Sequence, residues 1–313
     1  MARVVFFGSP DFALPTLRAL IDAGEPPVLV VTQPNRPAGR GRAATPTAVR
    51  RAAGELDLPV EIVSSFREGG GDFLAELEAD FFVVAAFGLI FPRRILSLPR
   101  SGCVNVHASL LPAWRGASPV NAAIAAGDRW TGVTTMLMAS ELDAGPILLQ
   151  RAIPIDPMET AGTLSNRLAE LGGELLVDTL HGIEDGGLTG TPQPETGVTF
   201  APRLRKEDGR VPWERDAIAV HDHIRGMHPW PGSFTYCRKR YVKIHRSRPL
   251  DLVERGDPPG RVIGVDERGV AVACGRGAVL LEKLQCEGRR SLEASEFLRG
   301  FEMCAGERLG GEG

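Results

Sequence analysis

The sequence predicts an α/β protein, with a Rossmann-like, mostly parallel sheet in a first domain and a smaller β-barrel domain after it. Over the first 110 residues, short runs of β-branched and aromatic residues alternate with helical stretches. Strands separated by helices of this length are typical of βαβ units, which build parallel sheets covered on both faces. About 110 residues at the C-terminal end differ, because short strand-like runs there are separated by Gly, Pro and Asp turns.

The elements of the first domain follow from its hydrophobic pattern. We predict strands at Val4–Phe7, Val28–Thr32, Val60–Val63, Phe81–Ala85 and Cys103–His107. Helices are predicted between them at Phe12–Ala23, Pro46–Ala53, Asp72–Glu78 and Pro92–Leu96. Further on, the pattern predicts a helix at Ala117–Ala126, a strand pair at Thr131–Met138 and Ile147–Ile155, and a long helix at Thr163–Ile183.

A segment rich in Gly, Pro and Thr divides the chain. It runs from Glu184 to Pro202 without periodicity and is typical of a linker. We therefore predict one domain over 1–183, a linker over 184–204 and a second domain over 205–313. The second domain is predicted to contain strands at Tyr241–His245, Gly260–Val265, Val270–Ala273 and Val279–Leu284, and helices at Ala217–Ile224 and Leu292–Phe301.

Composition excludes several classes of protein. An apolar content of 43% with 24% charged residues is that of a globular chain. The longest apolar run, Phe81–Phe91, is too short for a membrane span, and Gly8–Asp11 interrupts the N-terminal run too early for a signal peptide. The five cysteines lie far apart without a CxxC pair, so we expect an intracellular protein with neither a disulfide framework nor a metal site.

Charge is unevenly distributed along the chain. The formal net charge is −3, yet residues 203–248 contain 12 Lys/Arg against 5 Asp/Glu, and residues 33–53 contain five arginines and no acid. Two basic patches on an otherwise acidic chain indicate attraction to a polyanion, with nucleic acid the first candidate. The alternative is a pair of ordinary solvated faces, since arginine supplies all but 4 of the 36 basic residues. Charge alone leaves both interpretations open.

One glycine pattern is misleading. Gly39–Ala44 matches GxGxxA, but it follows the second predicted strand and contains two arginines. A dinucleotide fingerprint is instead found at the turn from the first strand into its helix. We therefore do not predict a dinucleotide site, and the chain has no GxxxxGK[ST] motif that would indicate a P-loop.

The strongest candidate site is Asn105-Val106-His107, at the end of the fifth predicted strand. Residues two apart in a strand face the same side, so Asn105 and His107 project together. Active sites of open α/β folds commonly lie at this carboxyl edge of the sheet. A lone histidine is more often structural, but an Asn-x-His that leads directly into the loop Ser109–Gly116 favours a functional role.

The second candidate is Asp143, within the segment Glu141–Pro146 between two predicted strands. Asp-Ala-Gly at such a place is explained by turn formation alone. A partnership with His107 would give Asp143 a further role, because a carboxylate beside an imidazole supports general acid–base chemistry.

The motifs together resemble a known family. The run VNVHASLLPAWRGASPVNAAIAAGD, followed by LDAGP, is similar to the signature of formyltransferases that use 10-formyltetrahydrofolate. Among these, the opening VVFFGSPDFALPTLRAL, the loop TQPNRPAGRGR and the segments AAFGLIFPRRIL, RLRKEDGRVPW and IRGMHPWPGSF resemble the methionyl-tRNA formyltransferases. The resemblance extends over nearly the whole chain.

The resemblance implies roles for individual residues. It makes Asn105, His107 and Asp143 the catalytic residues. It places 10-formyltetrahydrofolate, the formyl donor, against Ser109, Leu110, Leu111 and Pro112, with the pterin ring near Phe87, Gly88 and Leu89. It also implies that Arg36, Arg40 and Arg42 enter the acceptor stem of methionyl initiator tRNA. The middle of that loop is less basic than the family pattern.

The basic second domain fits the same substrate, since phosphate contacts dominate the affinity of proteins for RNA. An OB-like barrel would match this role by analogy of fold alone. The predicted tRNA contacts are Lys239, Arg240, Lys243 and Arg246, and solvated strand edges explain these four residues equally well.

The implied reaction is chemically consistent with these residues. An amine attacks the formyl carbon, and Asn105 and a protonated His107 can donate hydrogen bonds to the developing oxyanion. Asp143 can orient His107 or relay a proton. The formyl group arrives activated, so no metal is required.

The predicted enzyme is a cytoplasmic monomer. Three alternatives are an amino-sugar nucleotide N-formyltransferase, a formyltetrahydrofolate hydrolase and a non-catalytic RNA-binding protein.

Overall fold

The computed structural model describes residues 2–38, 43–67, 69–250 and 256–311. The chain forms two compact units whose segments alternate along the sequence. The first unit contains Met1–Gly116, Thr131–Ile153 and Ser165–Phe200, and the second contains Ala117–Trp130, Pro154–Leu164 and Ala201–Gly313. The second unit thus includes two short segments from the first half of the chain. The domain boundaries given above stay a prediction.

A seven-stranded sheet forms the centre of the first unit and confirms the predicted α/β class. Through residue 201, the strands are β1 Val4–Gly8, β2 Leu29–Thr32, β3 Arg36–Ala38, β4 Ala43–Thr45, β5 Val60–Ile62, β6 Phe81–Ala85, β7 Gly102–His107, β8 Arg115–Gly116, β9 Trp130–Leu137, β10 Ile147–Pro154 and β11 Phe200–Ala201. The helices are α1 Leu14–Asp22, α2 Ala48–Glu55, α3 Arg93–Leu96, α4 Pro119–Ala126 and α5 Ala161–Glu184. The sheet order is β10-β9-β7-β6-β1-β2-β5.

The five strands predicted in the first domain all form and pair in parallel. The later strand pair is also present, as β9 and β10, and β9 runs antiparallel to β7 with Thr134 opposite His107. One predicted helix differs, because Asp72–Leu77 is a 3-10 helix. Left-handed backbone at Gly71 and Glu78 bounds it on both sides, which leaves no room for a longer α-helix.

Aromatic packing fills the core on one side of this sheet. Phe7 contacts four other phenylalanine rings at centroid distances of 5.1–6.2 Å, and all are buried: Phe66, Phe82, Phe87 and Phe91. Edge-to-face geometry predominates among these pairs, which suits the ring quadrupoles. This cluster includes Phe7 of β1 and Phe82 of β6, so it packs against two neighbouring strands in the middle of the sheet.

The second unit contains an antiparallel sheet, which confirms the predicted β-rich C-terminal domain. Its elements are α6 Ala217–Gly226, β12 Ser233–Cys237, β13 Arg240–Leu250, β14 Val262–Asp266, β15 Gly269–Ala273, β16 Ala278–Cys286, β17 Leu292–Glu293 and α7 Ala294–Gly300. The sheet order is β12-β13-β16-β15-β14, with β17 added to β16. Strand β12 was not predicted, because prolines and a short half-polar sequence obscure it.

The two edges of this sheet are linked by the end of the chain. Leu309 bridges to Cys237 in β12, and Arg308 bridges to Arg261 beside β14. The C-terminal segment therefore spans the opening between the first and last strands, in the manner of a partly closed barrel. In the described part of the chain, none of the helices has both the length and the apolar character that a membrane crossing requires.

Candidate active site

The carboxyl end of β7 presents the two polar residues that the sequence singled out. Asn105 is half-buried and His107 is buried, and their positions two apart place both side chains on one side of the sheet. Within the described residues the Asn105 amide has no hydrogen-bond partner. An unengaged amide at this edge is available to donate to a ligand.

The His107 ring has a defined tautomer. Its Nε2 lies 3.0 Å from the Trp114 carbonyl oxygen, and because a carbonyl only accepts, Nε2 must carry the hydrogen. Trp114 adopts a left-handed backbone (φ +61°), which is unusual for a bulky residue. In the neutral ring the lone pair is therefore on Nδ1, and Nδ1 lies 3.8 Å from Asp143 Oδ2.

Asp143 is held by a tight turn. Its Oδ2 accepts a hydrogen bond of 2.8 Å from the Gly116 amide, and its own backbone is left-handed (φ +48°). Two residues on, a Cβ at Gly145 would lie 1.7 Å from the Leu137 carbonyl oxygen, so only glycine fits there. The segment is thus a turn, as turn chemistry predicts, and it also places the carboxylate beside His107.

The surroundings determine the charge of His107. Burial lowers the pKa of His107, and this effect exceeds the opposing influences of the Asp143 carboxylate and the Trp114 hydrogen bond. The ring is consequently neutral near pH 7, with Nδ1 able to accept a proton. Across the described ranges, no group of three or more His, Cys, Asp and Glu side chains could hold a metal ion.

The loop after β7 is braced from the neighbouring strands. Thr134 Oγ1 donates to the Ser109 carbonyl at 2.6 Å and accepts from the Leu111 amide at 3.1 Å. Gln150 Nε2 donates to the Leu111 carbonyl at 2.9 Å and to Thr134 Oγ1 at 2.8 Å. Ser109 and Leu111 are buried, whereas Leu110 and Pro112 are half-buried and present apolar surface.

The segment after β6 contributes less side-chain surface than the sequence suggested. Phe87 is buried in the aromatic cluster, and its carbonyl accepts a 2.5 Å hydrogen bond from Gln33 Nε2. Gly88 is exposed with a left-handed backbone (φ +79°), and Leu89 packs partly against the core. Within Phe87–Leu89 the exposed part is therefore mainly the backbone around Gly88, and directly after it the side chain of Ile90 is exposed.

Of the three loop arginines, Arg40 and Arg42 lie outside the described residues. Arg36 begins β3 and pairs with Thr45 of β4 through the backbone, and its side chain is likewise outside the described part. The structure therefore describes only the two short antiparallel strands, β3 and β4, that precede and follow Arg40 and Arg42 in the sequence.

The predicted basic contacts of the second unit differ in their availability. Arg246 forms ion pairs of 3.0 Å with Glu282 and 2.5 Å with Glu293, and Arg240 lies over the Phe301 ring at 4.5 Å. Lys239, in the turn between β12 and β13, and Lys243 have no partner among the described residues. The lysines are thus free to bind a polyanion, while the charge of Arg246 is already compensated.

Sequence reasoning missed the residues that hold the site in place, namely Trp114, Thr134, Gln150 and Gln193. Trp114 lies in the quoted signature run, but nothing in the sequence there indicates a hydrogen bond to His107, and the other three residues lie outside the quoted motifs. Only Thr134 could have been found from its position. It lies in β9, and it stands opposite His107 once the register between β9 and β7 is known.

Two family models match the chain. The model described as "Formyl transferase" matches residues 2–180, and "Formyl transferase, C-terminal domain" matches residues 203–302. Among curated relatives, "Methionyl-tRNA formyltransferase" of Geobacter sulfurreducens is 43% identical over 99% of this chain and 98% of its own length. The protein of the same name from Gluconobacter oxydans is 45% identical over 98% of this chain and 99% of its own length.

Solved structures show the same fold at low identity. An N-formyltransferase from Helicobacter canadensis, in complex with folinic acid and dTDP-3-aminofucose, is 16% identical with a TM-score of 0.69, covering 90% of this chain and 99% of that one. HypX from Aquifex aeolicus, in complex with tetrahydrofolic acid, is 18% identical with a TM-score of 0.62. That match covers 98% of this chain and 50% of HypX.

Proposed function

The chain belongs to the formyl transferase family, and on that basis we propose that it transfers the formyl group of 10-formyltetrahydrofolate to the α-amine of methionyl initiator tRNA. It is an enzyme, a formyl group transferase of translation initiation. Relatives that share 43–45% identity over 98–99% of the chain favour this substrate over amino-sugar nucleotides, over hydrolysis of formyl-folate and over RNA binding without catalysis.

One observation carries the assignment of the chemistry. A buried neutral imidazole, His107, has its Nε2 committed to the Trp114 carbonyl, its Nδ1 free beside Asp143, and the unengaged amide of Asn105 on the same side of the strand. Formyl transfer to an amine places negative charge on the formyl oxygen and positive charge on the nitrogen. The reaction thus requires a hydrogen-bond donor and a proton acceptor, and these residues offer one of each.

In our proposal Asn105 donates its amide hydrogen bond to the formyl oxygen, where charge develops. Nδ1 of His107 accepts the proton that the attacking amine loses, and the ring returns this proton to N10 of the folate when the bond between the formyl carbon and N10 breaks, so tetrahydrofolate leaves and His107 is neutral again. The Asp143 carboxylate, 3.8 Å away, stabilises the imidazolium that results. This arrangement differs from an imidazolium donor at the oxyanion, because burial keeps the free ring neutral and Nε2–H is already used.

When bound, 10-formyltetrahydrofolate supplies a formyl group that is already activated on its nitrogen. The residues present fit this cosubstrate. The half-buried Leu110 and Pro112 offer apolar surface on the loop that follows Asn105 and His107, and Thr134 and Gln150 brace this loop. We propose that Ser109–Pro112 and the exposed backbone at Gly88 bind the folate. Because the Phe87 ring is buried, we propose that this residue contributes to the folate site through its backbone.

We propose that Arg36, Arg40 and Arg42 contact the acceptor stem of the tRNA. The β12–β13 hairpin is proposed to contact the tRNA outside the end of that stem. Lys239 and Lys243 are the strongest hairpin candidates, because neither has a described partner. Arg240 is available through its exposed edge, whereas Arg246 is held between two glutamates. The enzyme acts in the cytoplasm, where initiator tRNA is used. It acts as a monomer, and sedimentation equilibrium tests this oligomeric state.

The test is formyl transfer from 10-formyltetrahydrofolate to methionyl initiator tRNA, with formate release followed in parallel. In His107→Gln the new amide can still donate to the Trp114 carbonyl but cannot accept a proton. We expect kcat to fall by at least about a hundredfold. The matched control His181→Gln changes a half-exposed histidine on α5 and should leave kcat unchanged.

Arg42→Ala, compared with Arg18→Ala on the exposed face of α1, tests the loop. We expect Arg42→Ala alone to weaken tRNA binding. Formate release without product on tRNA would identify a hydrolase, and formylation of an amino-sugar nucleotide in place of tRNA would identify that transferase. Unchanged turnover by His107→Gln would refute the catalytic assignment.

A further inference from the structure

The segment 191–199, directly before β11, is hydrogen-bonded to both parts of the candidate site, the loop after β7 and the turn that contains Asp143. Thr191 and Ile147 exchange two backbone hydrogen bonds of 2.8 Å, which attaches the segment to the start of β10. At its other end Thr199 accepts from the Arg115 amide at 2.9 Å and, through its hydroxyl, from the Trp114 amide at 2.9 Å. A stretch that looks like a linker in the sequence is therefore attached to the loops that carry Asp143 and the partner of His107.

Gln193 forms the centre of this attachment. Its Nε2 donates to the carbonyl oxygens of Asp143 and Gly145, both at 2.8 Å. Its Oε1 accepts from Arg115 Nε at 3.1 Å and Nη2 at 2.7 Å. Both amide hydrogens and both carbonyl lone pairs are thus used, so the side chain is held in a single orientation.

The group that Gln193 holds is the backbone of a catalytic candidate. Asp143 is left-handed (φ +48°), a conformation that costs an ordinary residue free energy and persists only when its surroundings enforce it. The same residue positions its carboxylate through the Gly116 amide and faces His107 Nδ1. A rotation about the Asp143 backbone would move that carboxylate away from the imidazole.

We propose that Gln193 is a positioning residue for formyl transfer, which joins the loop after β7 to the Asp143 turn and keeps the Asp143 carboxylate beside His107. This inference rests on the proposed function. Gln193 acts through Asp143 and Arg115 and does not touch the reacting atoms. Misplacement of a catalytic group by about 1 Å lowers turnover by up to about a hundredfold, which sets the expected size of the effect.

Two substitutions distinguish the donor role of the Gln193 side chain from its acceptor role. Gln193→Met has a similar length and removes all four hydrogen bonds. Gln193→Glu keeps an acceptor for Arg115 but removes both donors, so the carbonyls of Asp143 and Gly145 would face a carboxylate. The control is Thr191→Ala in the same segment, because Thr191 is exposed and its described contacts use only the backbone.

The first readout is steady-state kinetics. We expect kcat to fall about 10- to 100-fold in both Gln193 variants, with KM for 10-formyltetrahydrofolate within about twofold of the original. Thr191→Ala should leave both constants unchanged. A Gln193→Met enzyme with unaltered kcat, or one in which only KM changes, would overturn the proposal. So would full activity of Gln193→Glu, because the Arg115 half alone would then suffice.

The second readout does not depend on activity. Hydrogen exchange of the Gly116 amide reports on its bond to Asp143 Oδ2. We expect exchange to accelerate by roughly tenfold or more in both Gln193 variants, while the β1 amides stay protected and show that the fold is intact. Unchanged exchange at Gly116 would refute positioning. If the original protein made no formylmethionyl-tRNA, the proposed function would fail, and Gly116 exchange would still decide whether Gln193 holds Asp143.

Discussion

Removal of one buried hydroxyl should loosen the loop that we assign to folate binding. Thr134 is fully buried in β9, and its hydroxyl donates to the Ser109 carbonyl while accepting from the Leu111 amide and Gln150 Nε2. Thr134→Val preserves the shape of the side chain and removes all three hydrogen bonds. Thr134→Ser is the matched control, because it keeps the hydroxyl and removes only a methyl group.

The magnitude follows from the groups left behind. In Thr134→Val, the Leu111 amide and the Ser109 carbonyl each lose a described partner, while Gln150 Nε2 keeps its bond to the Leu111 carbonyl. A net hydrogen bond contributes about 1 kcal/mol and a buried unsatisfied group costs about 1–3 kcal/mol, so the free energy of unfolding should fall by about 3 kcal/mol. For Thr134→Ser we expect a loss of about 1 kcal/mol from the missing methyl.

The assay combines urea unfolding with steady-state kinetics. Thr134→Val should unfold at a clearly lower urea concentration than Thr134→Ser and should raise KM for 10-formyltetrahydrofolate, since the backbone at 109–111 is no longer braced. Equal losses of stability in the two variants would refute the argument, because the hydroxyl would then contribute nothing. A destabilised Thr134→Val protein with unaltered KM would separate this loop from folate binding.

Three further predictions concern sterics, pH and charge. Gly145→Ala should lower the free energy of unfolding by at least about 3 kcal/mol in urea titrations, because its Cβ meets a backbone oxygen, whereas Gly54→Ala, in open space, should be neutral or stabilising. Burial lowers the pKa of His223 to about 4. The contribution of His223 to stability should therefore be lost as pH drops from 6.5 towards 4, by up to about 3 kcal/mol. His223→Gln should reduce the pH dependence in urea titrations by that amount, while the contributions of the buried His107 and His221 remain. Lys243→Ala should weaken tRNA binding and reduce its salt slope by about one, while Arg246→Ala should change binding less, in filter-binding titrations.

The position of the catalytic candidates could be predicted from the sequence because it depends on local periodicity. Asn105 and His107 end a strand that is apolar elsewhere, and alternation places them on one side of β7. The parallel arrangement follows from the helices between successive strands, which brings the carboxyl ends of β6 and β7 to one edge. Asp143 was placed beside His107 by resemblance, and the structure puts the two side chains 3.8 Å apart.

The supporting residues could not be predicted, because their roles depend on contacts between distant segments. Gln193 lies 50 residues from Asp143 and 78 from Arg115, in a segment with no periodicity. Phe87 is the opposite case, since the resemblance placed it near the pterin ring, whereas in the structure its ring is buried against three other phenylalanines. For Arg246, the sequence predicted a positive charge available to tRNA, whereas in the structure Glu282 of β16 and Glu293 of β17 form ion pairs with it.

By itself, the sequence determined the α/β class, the division into a parallel and an antiparallel sheet, and the strand end at which Asn105 and His107 lie. These features depend on periodicity and turn chemistry, which act between near neighbours. Tertiary structure alone decided the tautomer and charge of His107, the support of Asp143 by Gln193, and which basic side chains remain free. Those properties are set by burial and by hydrogen-bond partners from distant segments, because desolvation and hydrogen bonding depend on what surrounds a group in space.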